Sequence, residues 1–516
     1  MRLAEIVAVS RDVAATPARL EKIALLASAL SAAAAEERPV AASWLAGDLP
    51  QGRIGIGYAS ARAALEAAPP PPAAPSLAVA EVHAAFSAIA ALRGAARTRA
   101  LADLLGAATA DERGFLVRLV LGELRQGALE GVLVEAVSRA AGLPAEDVRR
   151  AVMLAGALPP VAAAALAEGA AGLARFRLRV GEPVQPMLAQ PAADVGEALG
   201  TLGQAALEWK LDGARVQVHR DGEVVKVFSR SLREVTAAVP EVAALARAAP
   251  ARTLVLDGEA IALRADGSPE PFQVTMQRFG RKLDVERLVA ELPLSAFFFD
   301  VLHADGEDLL DLPARRRWEV LARLVPPAHL VPRLVTGDRA AAEGFFEDAL
   351  HRGHEGVVAK ALDAPYEAGR RGAAWLKVKR ANTLDLVVLA AEWGSGRRRG
   401  LLSNLWLGAR DPEAGGFAML GKTFKGMTDA MLGWQTEQLR ALGTRHEGHV
   451  VHVRPELVVE VAFDGIQASP TYPAGLALRF ARVKRYREDK RAEDADTIAA
   501  VRALYQRQGG PGRPPR

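Results

Sequence analysis

Several lysines and carboxylates recur at spacings that could do phosphorus chemistry. "EWKLDGAR" sets Lys210 between Trp209 and Leu211, with Asp212 and Gly213 behind it and Arg215 two further on. "LDGEAIAL" puts Glu259 after a short apolar run, and "FFFD" puts Phe299 beside Asp300. "HEGVVAK" sets Glu355 at the entrance of an expected strand and Lys360 at its end. In "WLKVKR", Lys377 and Lys379 are two apart, so both point to one face of a strand. "LRFARVKRYREDKR" gathers seven basic residues (Arg479, Arg482, Lys484, Arg485, Arg487, Lys490, Arg491) against Glu488 and Asp489.

A physical need unites these residues. A lysine that attacks a nucleotide α-phosphate must be neutral, yet a free lysine with pKa near 10.4 is mostly charged at neutral pH. Nearby cations and a bound metal can depress that value, and a nucleophilic amine benefits from lost hydration. Lys377 and Lys379 could contribute while neutralising the phosphate. Glu259 and Glu355 suit a hard Mg²⁺ that stays partly hydrated and bridges phosphate oxygens; Mn²⁺ accepts the same ligands. Phe299 offers a face for a purine. Each residue alone also has a plainer reading, as a surface lysine, a strand-end carboxylate, a core aromatic or a solvated basic face. Lys-x-Asp-Gly by itself arises by chance in roughly one chain in ten to twenty of this length. The order of the set along the chain carries the argument. His351 and His354 mimic metal-ligand spacing, but Gly353 between them ends a helix and the chain has no cysteine, so zinc is not expected.

The elements that position these residues follow from texture. With 516 residues, half of them hydrophobic and a quarter charged, the chain has material for two to four globular domains. A net charge of +4 neither requires nor excludes nucleic acid. No apolar run approaches the roughly 20 residues that span a bilayer. The N-terminus continues as amphipathic helix without a cleavage site, so no signal peptide is expected. The first 180 residues or so read as helices, with Leu116, Leu119, Val120 and Leu124 forming one stripe. "APPPPAAPS" reads as a polyproline II-like linker. From "VGEPVQPMLAQP" onward strands mix with short helices. Asp221-Gly222 marks a hairpin, and "AAAEGFFEDALHRG" a helix ending near Gly353. From about Thr383, short strands at near-regular spacing suggest a small barrel. The composition of "QRQGGPGRPPR" predicts disorder.

The series "EWKLDGAR", "FSR", "LDGE", "FFFD", "EGVVAK", "WLKVK" and "LRFARVKRYREDK" resembles, in order, the motifs of ATP-dependent DNA ligases in the covalent nucleotidyltransferase superfamily. The match runs from about residue 186 to 497. The helical first third resembles the DNA-binding domain of archaeal and eukaryotic-type members, most tellingly at "GELRQGALEGVL". The resemblance implies a multidomain protein: an all-α DNA-binding domain over 1–185, an α+β adenylation domain over 186–382, an OB-fold β-barrel over 383–505 and a disordered tail over 506–516. It implies that Lys210 is the adenylated nucleophile and that Glu208 reads the adenine amino group. Arg215 and Arg230 would contact ribose or phosphates, and Phe299 would stack on adenine. Glu259 would sit near the ribose and metal, and Glu355 would help hold the metal. Lys377 and Lys379 would grip the α-phosphate, while Arg482, Arg487 and Lys490 (with Asp489) match the segment that orients the leaving pyrophosphate. Ala481 stands where many relatives have proline.

The activity so implied uses ATP and Mg²⁺ to seal nicks in double-stranded DNA, through a lysyl-AMP and then a DNA-adenylate. The expected form is a monomer that encircles DNA, without a membrane, in the cytoplasm at the nucleoid. Arg397, Arg398 and Arg399 in "GSGRRRG" are candidate contacts to the DNA backbone. An RNA ligase of the same superfamily is the nearest alternative. A clamp that has lost catalysis would be expected to show damage at Lys210, Glu259 or the lysine pair, and all are intact.

Overall fold

A computed structural model describes residues 1–124, 126–127, 130–280, 285–367, 373–380, 382–394 and 398–507. Arg397 and residues 508–516 lie outside that description, as do Arg125, Ala128 and Leu129 within "GELRQGALEGVL".

Among the described residues, ten helices from Leu3–Ala15 to Leu158–Leu173 form the N-terminal part around one apolar core. Ala110–Val120 shows how the sequence starts and stops such a helix. Thr109 and Glu112 cap its start reciprocally, the Glu112 carboxylate accepting from Thr109 N–H at 2.8 Å. Gly122, at φ +68°, turns the chain out at the other end. Leu116 and Leu119 are buried as expected. Leu124 falls beyond the helix, so it joins the same core from a loop rather than from the predicted stripe. The proline tract is non-helical, and the buried Arg113 pins it by donating to the carbonyls of Pro69, Leu105 and Ala108.

The middle of the chain folds into two five-stranded sheets. In the first, Ala205–Lys210 pairs antiparallel with Gly356–Ala361, which pairs with Trp375–Lys379; Arg333–Thr336 flanks the other side. Alternation sends Ala205, Leu207, Val357, Ala359, Leu376 and Val378 outward, onto the helices Val195–Leu202 and Arg339–His351. In the second sheet, Ala214–Asp221 pairs with Val224–Ser229 and with Thr253–Ala262, which pairs with Leu294–Ala304. Val216, Val218, Leu254 and Leu256 pack against Pro240–Ala248 and Ala314–Leu324. Each sheet thus spends one face on helices. The other faces carry the polar residues of the motifs and look at one another.

His219 sits in this second sheet almost wholly buried. Its Nδ1 accepts from Gly181 N–H at 3.0 Å, and its Nε2–H donates to Gln217 Oε1 at 2.8 Å. That bonding holds the ring neutral, and burial pushes its pKa down to about 3. A folded pKa below the unfolded value near 6.5 stabilises the fold above pH 6.5, and this is lost as pH falls toward 3. The contribution lost by pH 5 is about 2 kcal/mol. Urea unfolding of wild type and His219→Gln at pH 7 and pH 5 checks it: the wild-type drop should be larger by about that amount.

Residues after 382 form a seven-stranded sheet built on the long strand Asn382–Trp393. That strand pairs with Leu402–Arg410 on one edge, and on the other with Val458–Phe463 and then Val450–Val453. The described pairings do not close this sheet into a barrel. One helix interrupts the expected run of strands, Asp429–Ala441, capped by Thr428, and another, Ile498–Arg507, follows it. Gln506 and Arg507 therefore belong to a helix rather than to the predicted tail. No helix among the described residues is long and apolar enough to cross a membrane.

Candidate active site

Lys210 ends its strand opposite Gly356, which brings its amine to the neighbouring Glu355. Lys210 Nζ and Lys379 Nζ share Glu355 Oε2, the latter at 2.8 Å. Lys377 lies on the same face as Lys379, across from Val358. A wall of this crevice is the polar face of the second sheet, where Glu259 lies beside Arg215 in register. Gly213 makes the approach close. A Cβ there would lie 2.5 Å from the Ala260 carbonyl oxygen and 2.9 Å from Glu259 Cγ, which is the physical need for glycine in Lys-x-Asp-Gly. Gly213→Ala is expected to displace Glu259 and cost about 1–3 kcal/mol by overpacking. A thermal midpoint equal to that of wild type would contradict this.

The electrostatics of the crevice centre on Lys210. Burial does push the Lys210 pKa down, but Glu355, Glu259 and Asp212 together outweigh it, and the net direction is up. Lys210 is therefore held as an ammonium. Glu259 is pushed up to about 8, chiefly by burial, with Asp257 and Glu355 adding and Lys210 and Arg215 opposing. Burial also raises Asp212, which pairs with Arg479 of the C-terminal part at 3.4 Å. Lys379 likewise reaches Asp464 of that part at 3.5 Å, and Arg482 reaches Asp464 at 3.4 Å. The C-terminal part thus meets the crevice at Lys379 and Asp212.

Glu208 lies deeper on the same strand, only 2 % exposed. It accepts from Arg333 Nε at 2.8 Å and is paired with Lys360 at 2.5 Å. Arg333 also donates to the Phe299 carbonyl at 3.3 Å, joining the two sheets. Lys360 lies over the Phe299 and Trp375 rings, at 4.4 and 4.1 Å from their centroids, and burial pushes its pKa down. Arg215 is held by a bidentate pair with Asp257 (2.6 and 3.0 Å) and by the Met187 carbonyl, while Tyr366 braces Asp257 at 2.7 Å. Arg230 is exposed and lines a small cavity with Arg215, Asp257, Ser229 and Pro186.

The fold therefore brings together Lys210, Glu208, Arg215, Arg230, Glu259, Phe299, Glu355, Lys377 and Lys379, with Arg482 at the rim. Arg487 and Lys490 instead bind Asp385 within the C-terminal part. Sequence reasoning gave no role to Arg333, Lys360, Asp464 or Tyr366. Lys360 was visible at its strand end, but Arg333 in "VPRLVT" carries no motif. His354 lies against Trp209, with ring centroids 4.9 Å apart.

Two facing sheets with a lysine and paired carboxylates in the crevice between them are a nucleotidyltransferase core. Residues 186–379 match the family described as ATP dependent DNA ligase domain. Residues 398–490 match its C terminal region, and residues 57–138 match the DNA ligase N terminus. A probable DNA ligase of Anaeromyxobacter dehalogenans (strain 2CP-C) is 75% identical over 98% of this chain and 100% of its own length. One of Mycolicibacterium gilvum (strain PYR-GCK) is 57% identical over 98% of this chain and 100% of its own length. The solved structure named Pmar-Lig_PreS3 superposes with a TM-score of 0.64 over 93% of this chain and 99% of that one; at 18% identity it bears on the fold alone. The chain belongs to the ATP-dependent DNA ligase family.

Proposed function

We propose that this protein seals 5′-phosphate/3′-hydroxyl nicks in double-stranded DNA, with Lys210 as the residue that carries AMP. One observation supports the reading above the others: Lys210 and Lys379 share the Glu355 carboxylate, with Glu259 also acting on Lys210. In the first step the Lys210 ammonium gives up a proton, for which Glu355 Oε2 is the acceptor in contact. The Lys210 nitrogen lone pair bonds the α-phosphorus of ATP as the bond to the β-phosphate oxygen breaks; pyrophosphate leaves and the nitrogen releases its second proton to solvent. Lys377 and Lys379 neutralise the α-phosphate oxygens, Glu208 and Phe299 hold adenine, and Arg215 and Arg230 serve the ribose or phosphates. Arg482, Arg487 and Lys490 orient the pyrophosphate. Next, a nick 5′-phosphate oxygen takes the AMP and frees Lys210. The 3′-hydroxyl then loses its proton to solvent and attacks the phosphorus of the 5′-phosphate; the bond from that phosphorus to the AMP oxygen breaks, AMP leaves and the backbone is joined.

Three carboxyl groups (Asp212, Glu259 and Glu355) act together on Lys210. Among the described residues no cluster of three or more His, Cys, Asp or Glu is arranged to hold a metal ion. The hard carboxylate oxygens beside Lys210 suit Mg²⁺ or Mn²⁺. Glu355 and Glu259 would hold it, and it would supply positive charge against the phosphates. Glu355→Gln is expected to slow self-adenylation by about 10²–10³-fold, a loss of the size seen when one charge-stabilising group is removed. A rate within threefold of wild type, measured with ATP labelled in the α-phosphate, would sink that role.

In the domain arrangement we infer, 1–185 and an OB-fold over 383–505 close on the duplex around the 186–382 core. The protein acts as a monomer in the cytoplasm at the nucleoid. Phosphate contacts from Arg398 and its neighbours make sealing sequence-independent and salt-sensitive. The test is sealing of a labelled nick with ATP: joined DNA supports the reading, and joining of nicked RNA alone would replace it with RNA ligation.

A further inference from the structure

Arg487 and Lys490 converge on one carboxylate oxygen, Oδ2 of Asp385. Arg487 Nη1 donates to it at 2.9 Å and Lys490 Nζ at 2.6 Å. The other edge of Arg487, Nε and Nη2, chelates Asp489 at 2.8 and 2.7 Å. The Asp385 side chain is only 12 % exposed, and its Oδ1 is buried without a hydrogen-bond partner. Its backbone is fixed independently: Asp385 N–H donates to Asp496 Oδ2 at 2.8 Å, and its carbonyl accepts from Asp496 N–H at 2.9 Å. Asp385 stands near the start of the strand that leaves the nucleotidyltransferase core, six residues after Lys379.

All three guanidinium nitrogens of Arg487 are thus engaged by carboxylates. A polyphosphate cannot take the guanidinium fork unless one carboxylate lets go, because both present the same oxygen geometry to it. Asp489 is two residues from Arg487 and moves with it, whereas Asp385 lies on another strand. We propose that Asp385 is a positioning residue that competes with the pyrophosphate moiety of ATP for Arg487 and Lys490, and so sets the strength of nucleotide binding in the first step. This rests on the reading that Arg487 and Lys490 orient pyrophosphate. Binding exchanges one charge-assisted contact for another, and the unpartnered Oδ1 leaves the Asp385 side of the exchange incompletely satisfied.

The test uses Asp385→Asn in the full chain; it keeps the side-chain shape and leaves both backbone bonds to Asp496 in place. The KM for ATP in self-adenylation should fall about tenfold while kcat changes little, since a full charge is removed from the competitor only. The KM for pyrophosphate in the reverse reaction should fall alike, sealing of pre-adenylated nicks should be unchanged, and Asp385→Glu should restore the wild-type KM. A KM that is unchanged or raised, in protein that melts with wild type, overturns the proposal. Should the Asn variant not fold, Asp385→Ser is measured in the same way. Arg487→Ala and Lys490→Ala separate the two ideas. If they leave the KM for ATP unaltered, the reading of that pair fails; if they raise it while Asp385→Asn does not lower it, the competition alone fails.

Discussion

Lys210→Arg is expected to abolish covalent nucleotide uptake, by at least about a thousandfold, in a protein that folds as wild type does. The substitution separates the two jobs that the proposed reading gives this lysine. Lys210 is the cation facing Glu355, with 24 % of its side chain exposed against 16 % for Glu355. A guanidinium keeps that charge and that partner. It has no accessible neutral form near pH 7, however, and so no amine lone pair for the α-phosphorus. If Lys210 served only as an ion-pair partner, arginine would keep much of the activity. Quenched mixtures of protein, metal and α-labelled ATP, read on a denaturing gel beside a thermal melt, decide between the two. Retained label would remove Lys210 from the chemistry.

Glu208→Ala is expected to destabilise the core by about 3–5 kcal/mol, the usual range when one partner of a buried ion pair is deleted. Glu208 and Lys360 are each 2 % exposed, and Arg333 closes the group from the neighbouring strand. Removing the carboxylate leaves two cations against the Phe299, Trp375 and Trp318 rings with no counter-charge. The loss is read as a lowered urea midpoint of the nucleotidyltransferase core. A shift under about 1 kcal/mol would mean that the network is far more solvated than its burial implies. The consequence for function is practical. Loss of activity in the alanine variant would not by itself prove adenine reading, and Glu208→Gln, scored for discrimination between ATP and GTP, is the cleaner probe.

What the sequence made legible here was local. The two-residue step from Lys377 to Lys379, and from Glu208 to Lys210, places each pair on one strand face because strand alternation is a property of neighbouring residues. The Asp221-Gly222 hairpin and the helix ending before Gly353 were legible for the same reason. What stayed hidden depended on pairing across long stretches. The sign of the Lys210 shift follows from its register with Gly356, which sets Glu355 on the amine, and no spacing within "EWKLDGAR" encodes that. Arg333 became part of the site only through its strand's pairing with Glu208. Arg487 and Lys490 were legible as a basic segment, while their shared partner Asp385 lies about a hundred residues earlier in the chain. The helix Asp429–Ala441 escaped notice amid strands, although Thr428 accepting from Met431 N–H marks its start.

In the proposed function, Lys210 carries AMP from ATP to a DNA nick. The most direct measurement incubates the purified protein with a divalent metal and ATP labelled in its α-phosphate, separates unbound nucleotide, and then adds nicked duplex DNA. Label should stay on the wild-type chain through denaturation, be absent from Lys210→Ala, and leave the protein as the nick is joined. Label that never attaches to folded wild-type protein, or that attaches equally to Lys210→Ala, would contradict the account.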